Sequence, residues 1–325
     1  MMNTYRVKAF FKSKEFTLVL LTAIVIIFFT IYTGGLFIKP LNVRGILNAM
    51  VIVSFLTIGE GMLIIYGNID LSSGAVGTLS AVIMAGALTN VGLPWYVTLL
   101  IGFAVGMLFG VINATLIVKL RFQAFIATLA MASVATGLAY VFGKAAAIAV
   151  KAPAIVFIGG HRFFGGLIPF SVIISLALFL LYGIIMTKTN FGRKVYMCGC
   201  NREAARLAGL NPQKYCYILF ANMGFLSALS GIVLAARMKS ATVTGITGSQ
   251  FSGITAAILG GISFGGGSGG MLGAFFGLLL LNCFNNGVQL IGLNPYWQTV
   301  ASGGILLIAL FFDFVSTVRK EKQLR

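Results

Sequence analysis

From Phe16 to Ile38 the chain runs for 23 residues without a charged side chain. As a helix rising about 1.5 Å per residue, such a run is longer than the ~30 Å hydrocarbon core of a bilayer. Similar runs recur along the sequence, at roughly 17–38, 45–66, 71–89, 95–118, 123–142, 170–186, 215–236, 251–264, 271–291 and 297–316. Only 9% of the 325 residues are charged and the mean hydropathy is +1.01, whereas soluble domains carry about 25% charged residues. The expected fold is therefore all-α and polytopic, with about ten transmembrane helices in a single domain spanning 1–325. The first run lacks the short apolar core and Ala-x-Ala ending of a cleaved signal, so it reads as a retained membrane anchor.

The net charge of +17 has the same origin. With the N-terminus inside, residues 1–16, the turn near Gly67–Asp70, Lys119–Arg121, the loop 187–214, the glycine link 265–270 and the tail 317–325 become cytoplasmic. These pieces hold 16 of the 23 basic residues. The remaining seven, Lys39, Arg44, Lys144, Lys151, Arg162, Arg237 and Lys239, fall on or near the other side. That bias follows the positive-inside rule and puts both termini in the cytoplasm. No basic stretch is interleaved with aromatics for stacking on bases, so nucleic acid is not expected as a partner; membrane lipid is. Cys198, Cys200, Cys216 and Cys283, with the lone histidine His161, lack the spacing of a metal set.

Two places break the helical pattern. Segment eight, Phe251–Phe264, is short for a crossing and runs into Gly265-Gly266-Gly267-Ser268-Gly269-Gly270. Tyr66-Gly67-Asn68-Ile69-Asp70 interrupts the chain between segments two and three. Irregular backbone at membrane depth survives only where it is buried in protein or lines a cavity. Interrupted or re-entrant segments are therefore expected near 67–70 and 251–270, and they point toward a transport path.

Polar residues in the apolar runs are the candidates for lining that path. A carboxylate at mid-bilayer costs on the order of 2.5–3.5 kcal/mol, so Glu60, Asp70 and Asp313 stand out. Asp70 sits where it would cap segment three, and Asp313 lies where it would reach the interface or pair with Arg319. Glu60, flanked by Gly59 and Gly61, fits either a solute path or an internal hydrogen bond. Ser72 follows Asp70, and Asn113, Asn282, Asn285, Asn286 and Gln289 are expected to be buried. Asn282, Asn286 and Gln289 share one helix face by spacing and would bond helix to helix or line a pore. Trp297 opens segment ten, where an interfacial aromatic belt or a sugar-stacking role would place it.

Within the loop 187–214, Asn201–Gly209 carries the signals of a short amphipathic helix. Asn201 caps it, Glu203 favours its N-terminus and Gly209 ends it. Ala204, Ala205 and Ala208 form a smooth surface that calls for a partner. This stretch, Glu203-Ala204-Ala205 with Gly209, resembles the coupling loop of permease subunits in bacterial ABC importers. Around it, "FGRKVYMCGCNREAARLAGLN" is similar to the ribose/xylose-type sugar permeases. So are "GNIDLSSGAVGTLSA" at 67–81, "AAILGGISFGGGSGGMLGAFFGLLL" at 256–280 and "NNGVQLIGLNPYWQ" at 285–298, in the same order.

The resemblance implies a ten-helix permease paired with a second copy or a paralogue. It also implies ATP-binding cassette subunits on the cytosolic face and an extracytoplasmic solute-binding protein. It assigns Arg202, Glu203, Ala204, Ala205 and Gly209 to the ATPase contact, and Gly67, Asp70, Leu71, Ser72 and Gly74 to a central signature. The chain departs from that pattern at Asn68, where a glycine is usual, and at Gln250-Phe251-Ser252, where Glu-Leu-Asp is common. The second departure weakens the sugar assignment, because that stretch should face the external partner or the mouth of the path.

The expected function is ATP-driven import of a small polar solute, most simply a monosaccharide, by alternating access. The chain itself is expected to hold no cofactor and to perform no bond chemistry, with ATP used by a partner subunit. The phosphate-cradling pattern G-x-x-x-x-G-K-[ST] is absent: Gly143-Lys144 has Leu138 and Ala145 where Gly and Ser/Thr are needed. The rivals, an ion-coupled secondary transporter and a membrane-embedded enzyme, would require several interacting acids or a clustered His, Asp or Cys set.

Overall fold

The computed structural model describes residues 14–163, 165–166, 168–294 and 296–324. Helices dominate: α1 (Lys14–Tyr32), α2 (Pro40–Tyr66), α3 (Ser73–Thr89), α4 (Trp95–Val118), α5 (Ala124–Gly143), α6 (Pro153–Gly160) and α7 (Phe170–Lys188). They continue with α8 (Asn190–Cys200), α9 (Arg202–Leu207), α10 (Pro212–Met238), α11 (Ser249–Leu259), α12 (Met271–Leu290) and α13 (Tyr296–Leu324). Two strand pairs close loops at one end of the bundle. β1 (Ile148–Ala149) runs antiparallel to β4 (Ser240–Ala241), and β2 (Arg162–Phe163) antiparallel to β3 (Ile168–Pro169).

Among the described residues, seven helices, α1, α2, α4, α5, α7, α10 and α12, are long and apolar enough to cross a bilayer. This is an all-α polytopic membrane protein. The expected count of ten rests on three more elements of unequal kind. α3 has 17 residues, roughly 26 Å of helix; α11 has 11 residues, too few to cross alone; α13 has 29. The side chains of Asp313 and Arg319, whose pairing was expected, lie outside the described residues.

α2 and α10 form the centre. Each has 27 residues and a proline at its start, where the missing amide costs nothing. Every residue of α2 from Met50 to Tyr66 is buried except Val53, as befits a helix that is apolar on all faces. It ends at Gly67, whose φ of 86° is the left-handed geometry that glycine adopts without strain. α10 packs on α2, α3 and α4. Its contacts with α4 and α3 depend on paired glycines. A Cβ on Gly224 would meet the Gly106 carbonyl, and one on Gly231 would meet that of Gly77. In a membrane, where apolar transfer does not drive helices together, such close backbone approach supplies the packing energy.

Where segment eight was expected to break, irregular backbone occurs on both sides of α11. After β4, residues 242–248 fold through turns; after Leu259, residues 260–270 contain four glycines with positive φ. The chain enters α11 at Gly248, with φ 91°.

Candidate functional site

The polar residues of α2–α5 gather into one buried network. Glu60, six residues before the end of α2 and fully buried, accepts the Asp70 amide through Oε2 at 3.2 Å and the Ser73 hydroxyl through Oε1 at 3.1 Å. Asp70 Oδ1 accepts the Ser72 amide at 2.8 Å and its hydroxyl at 2.5 Å. From α4, Asn113 Nδ2 donates to Ser72 Oγ at 2.9 Å, and from α5 Thr128 Oγ1 accepts the Leu71 amide at 3.1 Å. The unwound link 67–72 thus re-enters the bundle: α2 and α5 accept its Asp70 and Leu71 amides, Asp70 accepts that of Ser72, and α4 bonds the Ser72 hydroxyl, as low-dielectric surroundings demand. Asp70 does not cap α3 directly. Ser72 occupies the cap position, and Asp70 closes a local Asx-type turn upon it. Asn113 Oδ1 is buried without a partner among the described residues.

The α12 amides do not form a single polar face. Asn282 is buried and donates to its own Leu278 carbonyl at 2.9 Å. Asn286 is half-buried and exchanges hydrogen bonds with Asn42, at 2.9 and 3.1 Å, tying α12 to α2. Asn285 is also half-buried, and accepts from Ser302 at 3.4 Å. Gln289 was expected to be buried but is exposed, because α12 ends one residue later. Trp297, at the start of α13, is exposed at the same end of the bundle.

The second break contributes something the sequence reading missed. Ile246 donates its amide to Thr78 Oγ1 at 3.0 Å, and Thr78 lies 3.2 Å from Thr247 Oγ1. Ile246 and Ser227, at the middle of α10, both abut Gly77, so this turn lies at mid-membrane depth. Yet Thr242, Thr244, Gly245, Thr247 and Gly248 are exposed. Irregular backbone exposed at that depth must face protein or a water-filled space rather than lipid. The alternation of threonine and glycine in 242–248 was the available signal. Gln250, expected near a mouth, is buried instead; its Oε1 accepts the Gly248 amide at 2.9 Å and abuts Gly74.

At the other end, the loop 187–214 is more helical than expected. α8 is capped by Thr189, whose Oγ1 accepts the Gly192 amide at 3.3 Å. α9 is capped by Asn201, whose Oδ1 accepts the Ala204 amide at 3.0 Å, and Gly209 follows with φ 80°. Within α9, Ala205 is buried against the bundle while Glu203 and Ala204 face outward. The most prominent outward side chain is Leu207, 88% exposed, which the alanine pattern had obscured.

Arg202 joins α9 to the first break. Its Nη2 donates to the Gly67 carbonyl at 3.2 Å and to Asn68 Oδ1 at 2.8 Å, and the guanidinium lies 4.9 Å from the Tyr66 ring centre. Asn68, the departure at a usual glycine, is therefore an acceptor for Arg202. The glycine link arrives at the same place. The Gly267 amide donates to the Ile65 carbonyl at 2.8 Å, and Tyr196 Oη donates to the Gly269 carbonyl at 2.7 Å. Burial raises the Tyr196 phenol. It also raises the Cys198 thiol despite Arg202 nearby, which keeps that sulfur a packing group rather than a thiolate.

The first break thus meets α9 through Arg202, and the glycine link meets α8 through Tyr196. Residues 42–310 match the family described as the permease component of a branched-chain amino acid transport system. The chain belongs to it. The permease is 33% identical to the ribose import permease protein RbsC of Bacillus subtilis over 278 residues, 85% of this chain and 86% of that one. It is 31% identical over 294 residues to the fructose import permease protein FrcC of Rhizobium meliloti, covering 89% of this chain and 82% of that protein. The L-arabinose transport system permease protein AraH of Escherichia coli is 32% identical over 277 residues, with 84% and 82% coverage.

Proposed function

We propose that this permease is the membrane-spanning subunit of an ABC importer that carries a monosaccharide across a bacterial plasma membrane by alternating access. The three sugar permeases named above, each matched over more than four-fifths of this chain, support the solute class. The observation that carries the mechanism is the Arg202 contact with Gly67 and Asn68, a direct mechanical link between an outward-facing helix and unwound backbone inside the bundle.

In this reading 1–325 is one ten-crossing domain, α3, α11 and α13 completing the count, and both termini are cytoplasmic. An ATP-binding cassette subunit grips α9 through Asn201, Arg202, Glu203, Ala204 and Leu207, with Ala205 and Gly209 shaping its seat. That partner binds and hydrolyses ATP; the permease holds no nucleotide and makes no bond. An extracytoplasmic solute-binding protein delivers the sugar to the opposite end. A second permease, copy or paralogue, completes the path, with hydroxyl-bearing Thr78, Thr244 and Thr247 facing it. Glu60, Asp70, Ser72 and Asn113 hold the first break in shape beneath that path. Of the α12 amides, Asn282 and Asn286 bond helices together; Gln289 and Trp297 stand at the mouth.

The test is uptake of labelled ribose, fructose and arabinose by cells expressing the permease with its ATPase and binding protein. Wild type accumulates at least one sugar in an ATP-dependent manner. Glu203→Lys, which places a cation in the first turn of α9 against the helix dipole, abolishes uptake while the binding protein still docks. Normal uptake by that variant would refute the coupling role.

A further inference from the structure

A cavity of about 470 Å³ opens at the α9 end, between the first break, the α4–α5 turn and α9. Its polar lining includes Arg121, Gln123 and Arg202, its apolar wall includes Phe122, Phe125 and Phe264, and no acidic residue lines it. Arg202 directs one nitrogen to Gly67 and Asn68. Arg121 makes no side-chain hydrogen bond or ion pair among the described residues, and neither does Gln123. Arg121 also holds a φ of 57°, a left-handed geometry unusual for a side-chain-bearing residue. Two guanidinium groups thus share a concave site with no counter-charge.

The surroundings identify the counter-charge. The α4–α5 turn carries Leu120, Phe122, Phe125 and Ile126, all exposed and all at the end of two membrane-spanning helices. A site with cations inside and exposed apolar side chains on its rim sits where a bilayer's headgroups meet its acyl chains. A soluble anion would gain nothing from that rim, and an acidic protein segment would leave its large apolar side chains in contact with water. We infer that this cavity binds the headgroup of an anionic phospholipid, with the phosphate between Arg121 and Arg202, Gln123 as a further donor, and an acyl chain along Phe122 and Phe125. Guanidinium suits the role because its fork matches phosphate oxygens. Since Arg202 also holds Gly67 and Asn68, the lipid occupies the seat of the coupling helix.

Native mass spectrometry of the purified full-length permease, exchanged into mixed phosphatidylglycerol and phosphatidylcholine, tests this. Wild type retains phosphatidylglycerol in preference to phosphatidylcholine. Arg121→Gln weakens that retention about fivefold, the share of one basic side chain near a headgroup. Arg121→Lys stays within about twofold of wild type, and all three forms have the same thermal unfolding temperature in detergent. Inorganic phosphate at matching concentration does not compete. Equal retention of both lipids, or no difference between wild type and Arg121→Gln, overturns the inference. Full competition by inorganic phosphate overturns it in favour of a soluble-anion site. If Arg121→Gln leaves lipid unchanged but weakens binding of the ATPase subunit, the cavity belongs to an acidic protein segment instead. The lipid measurement needs neither ATPase nor sugar, so its failure is separate from failure of the transport reading.

Discussion

Replacing Arg202 by alanine cuts the side chain that, among the described residues, hydrogen-bonds α9 to the unwound backbone at 67–68. Two hydrogen bonds are lost, at 2.8 Å to buried Asn68 and at 3.2 Å to the Gly67 carbonyl, together with the guanidinium over Tyr66. A net hydrogen bond contributes about 1 kcal/mol, less where water can substitute, and an exposed cation–π contact about 0.5–1 kcal/mol. Arg202 is exposed, so the total is about 2 kcal/mol, roughly a thirtyfold change in an equilibrium. If this energy couples α9 to the bundle, Arg202→Ala leaves the ATPase subunit bound and hydrolysing but lowers solute moved per ATP by about that factor. Arg202→Lys keeps the charge but loses the planar fork, and falls between. The assay is simultaneous uptake and phosphate release in proteoliposomes holding the whole complex. An Arg202→Ala complex whose uptake-to-hydrolysis ratio equals wild type would refute the linkage.

Leu207→Asp, at the most exposed apolar position of α9, weakens association with the ATPase subunit by about 1–2 kcal/mol, read as a rise of roughly tenfold in Kd by surface plasmon resonance; unchanged affinity would place the contact elsewhere. Glu60→Gln keeps an oxygen for the Asp70 amide but turns its NH2 toward Ser73, whose hydroxyl must then donate to the Asp70 carbonyl 3.3 Å away. Replacing carboxylate-accepted bonds by neutral ones costs about 1 kcal/mol, so a lower unfolding temperature in detergent is expected, and an unshifted one would show that the break is held by other groups. Gly224→Ala drives a Cβ into the Gly106 carbonyl and should separate α4 from α10, seen as faster proteolysis; the same change at Gly303, which has open space around it, should have no effect.

Much of this was legible because lipid imposes simple rules. Charge-free runs located the long helices to within a few residues, and capping chemistry located α9 at Asn201 and Gly209. The break at Gly67 marked the end of α2, whereas its start lies at Pro40, five residues before the expected run at 45–66. The residues that resisted were those whose role depends on a neighbour distant in sequence. Asp70 looked like a helix cap from its position, but Ser72 occupies the cap and Asp70 Oδ1 is spent on the Ser72 amide and hydroxyl, while Glu60 and Thr128 on distant elements hold the Asp70 and Leu71 amides. Asn286 and Gln289 share a helical face by spacing. Nothing in that spacing shows that Asn42 meets the former or that the helix ends beside the latter. Leu207 was hidden because an alanine pattern shows which face is smooth, not which face is turned away.

The two breaks also differ in what they ask of their surroundings. At 67–72 the freed amides of Asp70, Leu71 and Ser72 find partners inside the chain: Glu60, Thr128 and Asp70. Those three amides are therefore satisfied within one protomer, and motion of Arg202 acts on a bonded unit. At 242–248 the backbone lies at the same depth with Thr244, Thr247 and Gly248 uncovered. The Thr247 hydroxyl and Gly248 amide have partners in the chain, but the exposed Thr242 and Thr244 hydroxyls have none among the described residues, which in lipid would cost several kcal/mol each. A lone chain in a bilayer is thus incomplete on this face, and the missing cover is protein or water. In the proposed assembly, a second permease enclosing a wet path would supply both at once. A rigid break driven by α9 and an uncovered, hydroxyl-lined break facing the path are the two halves an alternating-access bundle needs.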